Sequence, residues 1–68
     1  MRYAVVIENA GKNFSAYVPD LPGCIATGPT RAKVERRIRS AIRMHLELMA
    51  EGGEPAPTST TWAEVVRV

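Results

Sequence analysis

Apolar residues in the first half of the chain predict three short β-strands. Residues 2–8 are rich in β-branched side chains and alternate only weakly, which is typical of a strand buried on both faces. Turn-forming residues follow at 9–12, and residues 13–18 then alternate between apolar and polar, so we expect the two segments to pair as a hairpin. Two closely spaced prolines end the second strand, because proline cannot donate to a sheet ladder. Residues 24–28 predict the third strand.

A single long helix follows the three strands. Thr30 is the predicted N-cap, the helix is expected to run to about Glu51, and Gly52 is the predicted C′ residue, just beyond its end. One arc of the helical wheel is expected to pack on the sheet, and it holds Val34, Ile38, Ala41, Ile42, His45, Leu48 and Met49. The opposite arc is charged and is expected to face solvent, and it holds Arg36, Arg39, Arg43 and Glu47.

The last segment predicts a fourth strand at residues 62–68. Its candidate core residues are Trp62, Val65, Val66 and Val68. A right-handed crossover through the helix would place this strand beside the first one and parallel to it. The expected fold class is therefore α+β in the order β-β-β-α-β, with a four-stranded mixed sheet and one helix on one face. We interpret residues 1–68 as a single domain, since neither a repeat nor a linker divides them.

The small size of the chain predicts self-association. A chain of 68 residues buries a modest core and often depends on a disulfide, a metal ion or a partner subunit. Cys24 is the only cysteine and His45 the only histidine, so neither an internal disulfide nor a four-ligand metal site is expected. The first strand is apolar on both faces, although one helix covers only one face of a sheet. We therefore expect a homo-dimer or a higher homo-oligomer, and we favour a contact across the open sheet face over one between strand edges.

Basic residues are concentrated at the start of the helix, although the net charge of the chain is only +2. Six lysines and arginines fall within residues 31–43, which indicates a local basic patch rather than a basic protein. The candidate contacts with a partner or with nucleic acid are Lys33, Arg36, Arg39 and Arg43. The plain interpretation is a solvated helix face, and the alternative is binding of RNA phosphates or of an acidic protein.

The residues do not form a convincing catalytic set, and we expect no enzyme activity, no metal and no cofactor. A metal-dependent nuclease needs several carboxylates that converge on its metal ions, and the chain offers only Glu8, Glu35 and Glu64 at scattered positions. Cys24 and His45 could be paired as a nucleophile and its base. A small space-filling cysteine and a histidine at the edge of the core are the simpler interpretation.

Nothing in the sequence predicts a signal peptide or a membrane span. The first apolar run stops at Glu8, which makes it too short for either. Together with the lone cysteine, this predicts a cytoplasmic protein that has no contact with a membrane.

Most of the chain resembles a known family. Residues 14–28 look like the signature region of the HicB-like antitoxins, and residues 3–8, 41–47 and 53–57 fit the same family. The most specific part is the turn after the second strand, which we interpret as a structural motif made of Pro19, Asp20, Leu21, Pro22, Gly23 and Cys24. The resemblance implies a degraded ribonuclease-H-like fold and the role of antitoxin in a type II toxin–antitoxin pair.

The resemblance also implies a partner. This would be a HicA-like toxin, a small protein that cleaves mRNA, which the antitoxin would neutralise by masking its active site. Family members usually carry a C-terminal DNA-binding module, for which 68 residues leave no room, so DNA binding is not expected for this chain alone. The leading hypothesis is an antitoxin-like protein-binding domain. The second is a stand-alone oligomeric domain whose basic helix face binds nucleic acid or an acidic protein, and a residual enzyme ranks last.

Overall fold

The computed structural model describes all residues from Met1 to Val68 and contains three strands followed by one helix. The strands are β1 (Val6–Asn9), β2 (Phe14–Tyr17) and β3 (Ile25–Gly28), and the helix α1 spans Arg31–Glu51. The strands form one antiparallel sheet in the order β1-β2-β3. The predicted hairpin, the third strand, the helix and the α+β class are therefore confirmed, although each strand is shorter than predicted.

The predicted fourth strand is wrong. Residues 62–68 have no regular secondary structure, so the sheet has three strands and is antiparallel rather than mixed. A pattern of β-branched residues expresses strand propensity, but a strand forms only where another backbone is available for pairing. Thr61, Trp62 and Ala63 lie beside residues 2–5. Residues 2–5 precede β1 and are not part of the sheet themselves, so they offer no ladder for pairing. The side chains expected in the core, Trp62, Val65, Val66 and Val68, are all exposed.

Both ends of α1 are capped by local hydrogen bonds. The amide of Lys33 donates to Thr30 Oγ1 at 3.1 Å, which confirms Thr30 as the N-cap. At the other end, Gly52 is the C-cap and the left-handed residue is Gly53, with φ at +76°. The Gly53 amide donates to the Ala50 carbonyl and the Glu54 amide to the Met49 carbonyl, which is the Schellman arrangement. The predicted C′ residue, Gly52, was therefore wrong by one position, since Gly53 is the C′ residue.

The core lies between α1 and the sheet face that it covers. It consists of six buried side chains, namely Ala16, Val18, Leu21, Cys24, Val34 and Ile38. Later positions of the helix follow the predicted arc only in part, because Leu46 packs against the core and Leu48 is exposed. A helix of 21 residues is about 31 Å long, whereas a four-residue strand is about 13 Å long. The last turns of α1 therefore extend past the sheet, and there the helical periodicity no longer predicts which side chains are buried.

Helix and sheet approach each other closely at Gly28. A Cβ atom added there would lie 2.9 Å from the backbone nitrogen of Val34 and 3.2 Å from its Cα. These are backbone atoms of the first turns of α1, so they cannot move aside as a flexible side chain would. Only glycine allows β3 and α1 to pack at this distance.

We predict that Gly28→Ala destabilises the protein by about 1–3 kcal/mol, the usual cost of overpacking a close contact. The matched control is Gly52→Ala, because a Cβ at Gly52 would lie at an ordinary 3.6 Å from the Leu48 and Met49 carbonyl oxygens. Thermal unfolding at one fixed protein concentration measures both variants against the unmodified chain. A Gly28→Ala variant that melts with the control would contradict this account of the helix–sheet contact.

Candidate protein-binding surfaces

The motif at residues 19–24 forms a compact turn that closes one end of the core. The Leu21 amide donates to the Val18 carbonyl at 3.1 Å, and the Cys24 amide donates to the Leu21 carbonyl at 3.0 Å. Gly23 has φ at +84°, which places it in the left-handed region. Leu21 is completely buried. The two prolines, Pro19 and Pro22, have no amide that would need a partner, so the turn holds Leu21 in the core with few unpaired backbone groups.

Cys24 is a core residue rather than a nucleophile. Its side chain is buried among the six core residues, and burial raises the pKa of the thiol above its usual value. A raised pKa keeps the thiol protonated near neutral pH, and the thiolate is the reactive form. The pairing of Cys24 with His45 as nucleophile and base therefore has no support in the structure.

Asp20, in the same turn, holds the C-terminal part of the chain. Its Oδ2 accepts hydrogen bonds from the amides of Thr60 and Thr61, each at 3.0 Å. Its Oδ1 accepts from the Thr60 hydroxyl at 3.0 Å and from the Thr61 hydroxyl at 2.8 Å. These hydrogen bonds lower the pKa of Asp20. The Thr61 amide has the largest effect, the Thr61 hydroxyl the next largest, and the two hydrogen bonds from Thr60 add to it. We call this set of four hydrogen bonds the Asp20 latch.

A second contact ties the same segment to the N-terminus. The Tyr3 hydroxyl donates to the Pro57 carbonyl at 2.6 Å. Neither this contact nor the Asp20 latch was predicted from the sequence, because the paired residues are 54, 40 and 41 positions apart. Two adjacent threonines after a proline-bearing loop were the only available signal, and they carry no information about the partner.

The sheet face opposite α1, which we call the open sheet face, has an apolar row and a polar row. The register places Val6, Tyr17 and Ile25 side by side across the three strands. Tyr17 is 41% exposed and Ile25 is 69% exposed. The next row along the strands consists of Glu8, Ser15 and Thr27. These six positions include no lysine or arginine.

The predicted partner contacts on α1 do come together. Lys33 and Arg36 line one shallow groove, and Arg36, Arg39 and Arg43 line the next. All four side chains are exposed, and we call this surface the basic helix patch. One acidic neighbour approaches it, since Glu35 forms an ion pair with Arg39 at 3.6 Å. Arg37 lies beside the patch and donates to the Thr27 carbonyl at 2.9 Å.

A third surface lies between β1 and α1. Its floor is apolar and combines residues from the N-terminal segment and the helix, namely Tyr3, Val5, Ile7, Ile38, Ile42 and Leu46. Its rim is basic and consists of Arg2, Arg31, Arg39 and Arg43, with Glu35 as the one carboxylate. We call it the β1–α1 groove. The helix packs mainly on β3 and β2 and least on β1, which is why the groove is open on this side.

Two further observations concern metal ions and membranes. No three side chains of His, Cys, Asp or Glu come close enough together to hold a metal ion. The helix lacks the continuous apolar length that a transmembrane segment requires.

We predict that Asp20 titrates below its usual pKa of 3.8. Because the folded-state pKa is lowered, the latch stabilises docking of residues 60 and 61 above the usual pKa and is lost as the pH falls through the lower folded-state value. The amide NMR shifts of Thr60 and Thr61 measure the midpoint. A Thr60→Val, Thr61→Val variant keeps both amides but removes both hydroxyl donors, so its midpoint should lie higher. A midpoint at or above 3.8 in the unmodified chain would contradict the latch.

Comparison with known proteins assigns the chain to a family. Residues 3–67 match the family described as HicB-like antitoxin of bacterial toxin–antitoxin system. A 14.9 kDa protein from the rep-hol intergenic region of Haemophilus phage HP1 is 36% identical over 59 residues, which are 87% of this chain and 44% of the phage protein. This chain therefore spans less than half of the length of that relative.

Two other proteins extend the comparison. The UPF0150 protein Ta0767 of Thermoplasma acidophilum is 33% identical over 58 residues, which are 84% of each chain. Among solved structures, a chain of the HicA3 and HicB3 toxin–antitoxin complex superposes with a TM-score of 0.73 and 29% identity, covering 87% of this chain and 69% of that one. The chain belongs to the HicB-like antitoxin family.

Proposed function

We propose that this chain is an antitoxin that neutralises a HicA-type, mRNA-cleaving toxin by masking the toxin's active site. The observation that carries the proposal is the similarity in fold to a chain solved in a toxin–antitoxin complex. The family match over residues 3–67 supports the same role. The finer likeness to a degraded ribonuclease-H fold stays a prediction, and so does a cytoplasmic location.

The open sheet face is the surface that fits such a toxin. A protein that binds RNA needs basic residues to attract the phosphates, so its substrate-binding surface is expected to repel other cations. The open sheet face carries the exposed apolar pair Tyr17 and Ile25 and the carboxylate Glu8, without a lysine or arginine among its six positions. The basic helix patch lies on the other side of the sheet, on the outer surface of α1. Charge complementarity therefore favours the sheet face as the toxin contact.

The role we propose is masking rather than catalysis. The carboxylates considered for catalysis are dispersed, since Glu8 lies within β1, Glu35 pairs with Arg39 on α1, and Glu64 lies beyond the latch. The Cys24 thiol is buried and has a raised pKa. These placements support an antitoxin that acts by occupying a surface of its partner.

A second candidate function is binding of RNA phosphates by the basic helix patch. The observation in its favour is that Lys33, Arg36 and Arg43 have no ion-pair partner, and that the four cations of the patch lie in two adjoining grooves. Like charges that are gathered and not neutralised create a positive potential that attracts a polyanion.

We predict that Tyr17→Thr with Ile25→Thr weakens toxin binding by at least about 30-fold, which corresponds to the ~2 kcal/mol lost when an interface hot spot is truncated. Threonine keeps a β-branched side chain in each strand, so the sheet should still form. The toxin to use is the product of a neighbouring reading frame, and calorimetric titration measures the affinity. Failure of the variant to rescue growth of toxin-expressing cells is the corresponding result in vivo. Unchanged affinity and full rescue would contradict the open sheet face as the toxin contact.

We predict that Arg36→Gln, Arg39→Gln and Arg43→Gln together leave toxin affinity unchanged within about two-fold, because the patch lies outside the proposed toxin contact. Folding should also be preserved, since exposed substitutions of this kind usually change stability by less than ~0.5 kcal/mol each. The same variant tests the second function. If the patch binds RNA, fluorescence anisotropy with a single-stranded RNA will show salt-dependent binding that the triple variant loses. Loss of toxin affinity instead would move the toxin contact from the sheet to the helix.

A further inference from the structure

We propose that two copies of this chain assemble by exchanging their C-terminal segments. Residues 64–68 of each copy add as a strand to the free edge of β1 in the other copy, and the side chains of Val66 and Val68 fill the β1–α1 groove. The proposal concerns self-association and is independent of the toxin-binding role.

The chain exposes more surface than a compact protein of its size. Its accessible surface is 5399 Å², whereas a compact protein of 7.4 kDa exposes roughly 4,200 Å². Its radius of gyration is 13.0 Å, against about 11 Å for a compact domain of this length. The surplus area of roughly 1,200 Å² exceeds the ~800 Å² that each partner buries in a standard protein–protein interface.

Much of the apolar part of this surplus is in the C-terminal segment. The exposed fractions are 77% for Trp62, 103% for Val65, 70% for Val66 and 116% for Val68. Valine and tryptophan have high strand propensity, yet these residues are outside the sheet. A segment of this composition that pairs with nothing is unstable as a strand by itself and gains most from the edge of an existing sheet.

The receiving site is an edge of the same sheet. In the order β1-β2-β3, β1 pairs with β2 on one side only, so its other side presents unpaired backbone groups. The β1–α1 groove adjoins this edge, and its apolar floor consists of half-buried side chains and the buried Ile38. A strand added here would gain both backbone hydrogen bonds and apolar contacts, as in recognition by strand addition.

The charges of the segment match those of the groove. In a strand, alternate side chains share a face, so Glu64, Val66 and Val68 would point the same way. The two valines are apolar and suit the floor of the groove. Glu64 is the one acidic side chain of the segment, and the rim of the groove is made mostly of arginines. The opposite face, with Val65 and Arg67, would lie beyond β1 at the margin of the open sheet face and would leave Tyr17 and Ile25 uncovered.

The latch explains why a second copy supplies the strand. Asp20 holds Thr60 and Thr61, and Tyr3 holds Pro57, so the path of the segment is fixed up to residue 61. Beyond that, Trp62 and Ala63 still lie beside residues 2–5, but the valines that follow leave the body of their own chain. Because the chain is held in place up to residue 61, less conformational entropy is lost when the residues that follow bind the other copy. Exchange of the same segment in both directions is a closed two-fold arrangement.

Sedimentation equilibrium of the full chain from low to high micromolar concentration is the first test. We expect a dimer, and we expect the variant Val66→Ser, Val68→Ser to raise the dimer dissociation constant at least about 100-fold, because it removes two buried aliphatic contacts from each added strand. These side chains are exposed in the monomer, so its folding should be unaffected. The matched control is Tyr17→Thr with Ile25→Thr, which removes exposed apolar side chains from the open sheet face and should leave the dimer intact.

A spin label locates the contact. The spin label is attached to an Arg67→Cys variant of natural isotope abundance. Cys24 is buried and inaccessible to the labelling reagent, so only residue 67 reacts. This chain is mixed with an unmodified ¹⁵N-labelled chain. Broadening of the amides of residues 3–9 in the ¹⁵N-labelled copy is the expected result. Broadening confined to residues 15–17 and 25–27, a monomer at high micromolar concentration, or a dimer that the valine variant leaves unchanged would each overturn the exchange.

Discussion

The packing of α1 against small residues of the sheet is the contact on which the rest of the structure depends. Ala16 and Ala26 face each other across β2 and β3, and Gly28 follows on the same face of the sheet. Their small size lets the backbone at Val34 approach so closely that no Cβ fits at Gly28. With strands of only four residues, this contact covers a small area. The turn after β2 extends the core by inserting Leu21, which is why a loop residue is fully buried.

Local signals predicted the parts of the fold that are fixed locally. Thr30 caps the helix through a hydrogen bond to a residue three positions away, and the hairpin depends on a short turn. The predicted Gly52 was one position early because two successive glycines both fit the end of a helix, and only Gly53 has a positive φ. The prediction of a fourth strand was wrong for a different reason. Strand propensity of the valines could be read from the sequence, but the position of the chain relative to β1 depends on Tyr3 and Asp20, far away in sequence.

The candidate surfaces show the same division. The basic helix patch follows from helical periodicity, so the sequence was sufficient to group Lys33, Arg36, Arg39 and Arg43, and the structure brings them together. The apolar row on the open sheet face depends on register between three strands, which the sequence constrains only weakly. Asp20 was identified as part of a turn motif, but its four hydrogen bonds involve threonines that no local pattern connects to it.

The separation of these surfaces decides what the molecule can do at one time. Six core side chains are few for a chain of 68 residues, so association that buries further apolar surface would stabilise the fold by mass action. If that association used the open sheet face, dimerisation and toxin binding would compete for Tyr17 and Ile25. An exchange of C-terminal segments at β1 avoids the competition, because the added strand lies beyond β1 and leaves Tyr17 on β2 and Ile25 on β3 uncovered. Each copy in such a dimer would keep its toxin-binding surface free, and stability and neutralisation would reinforce each other.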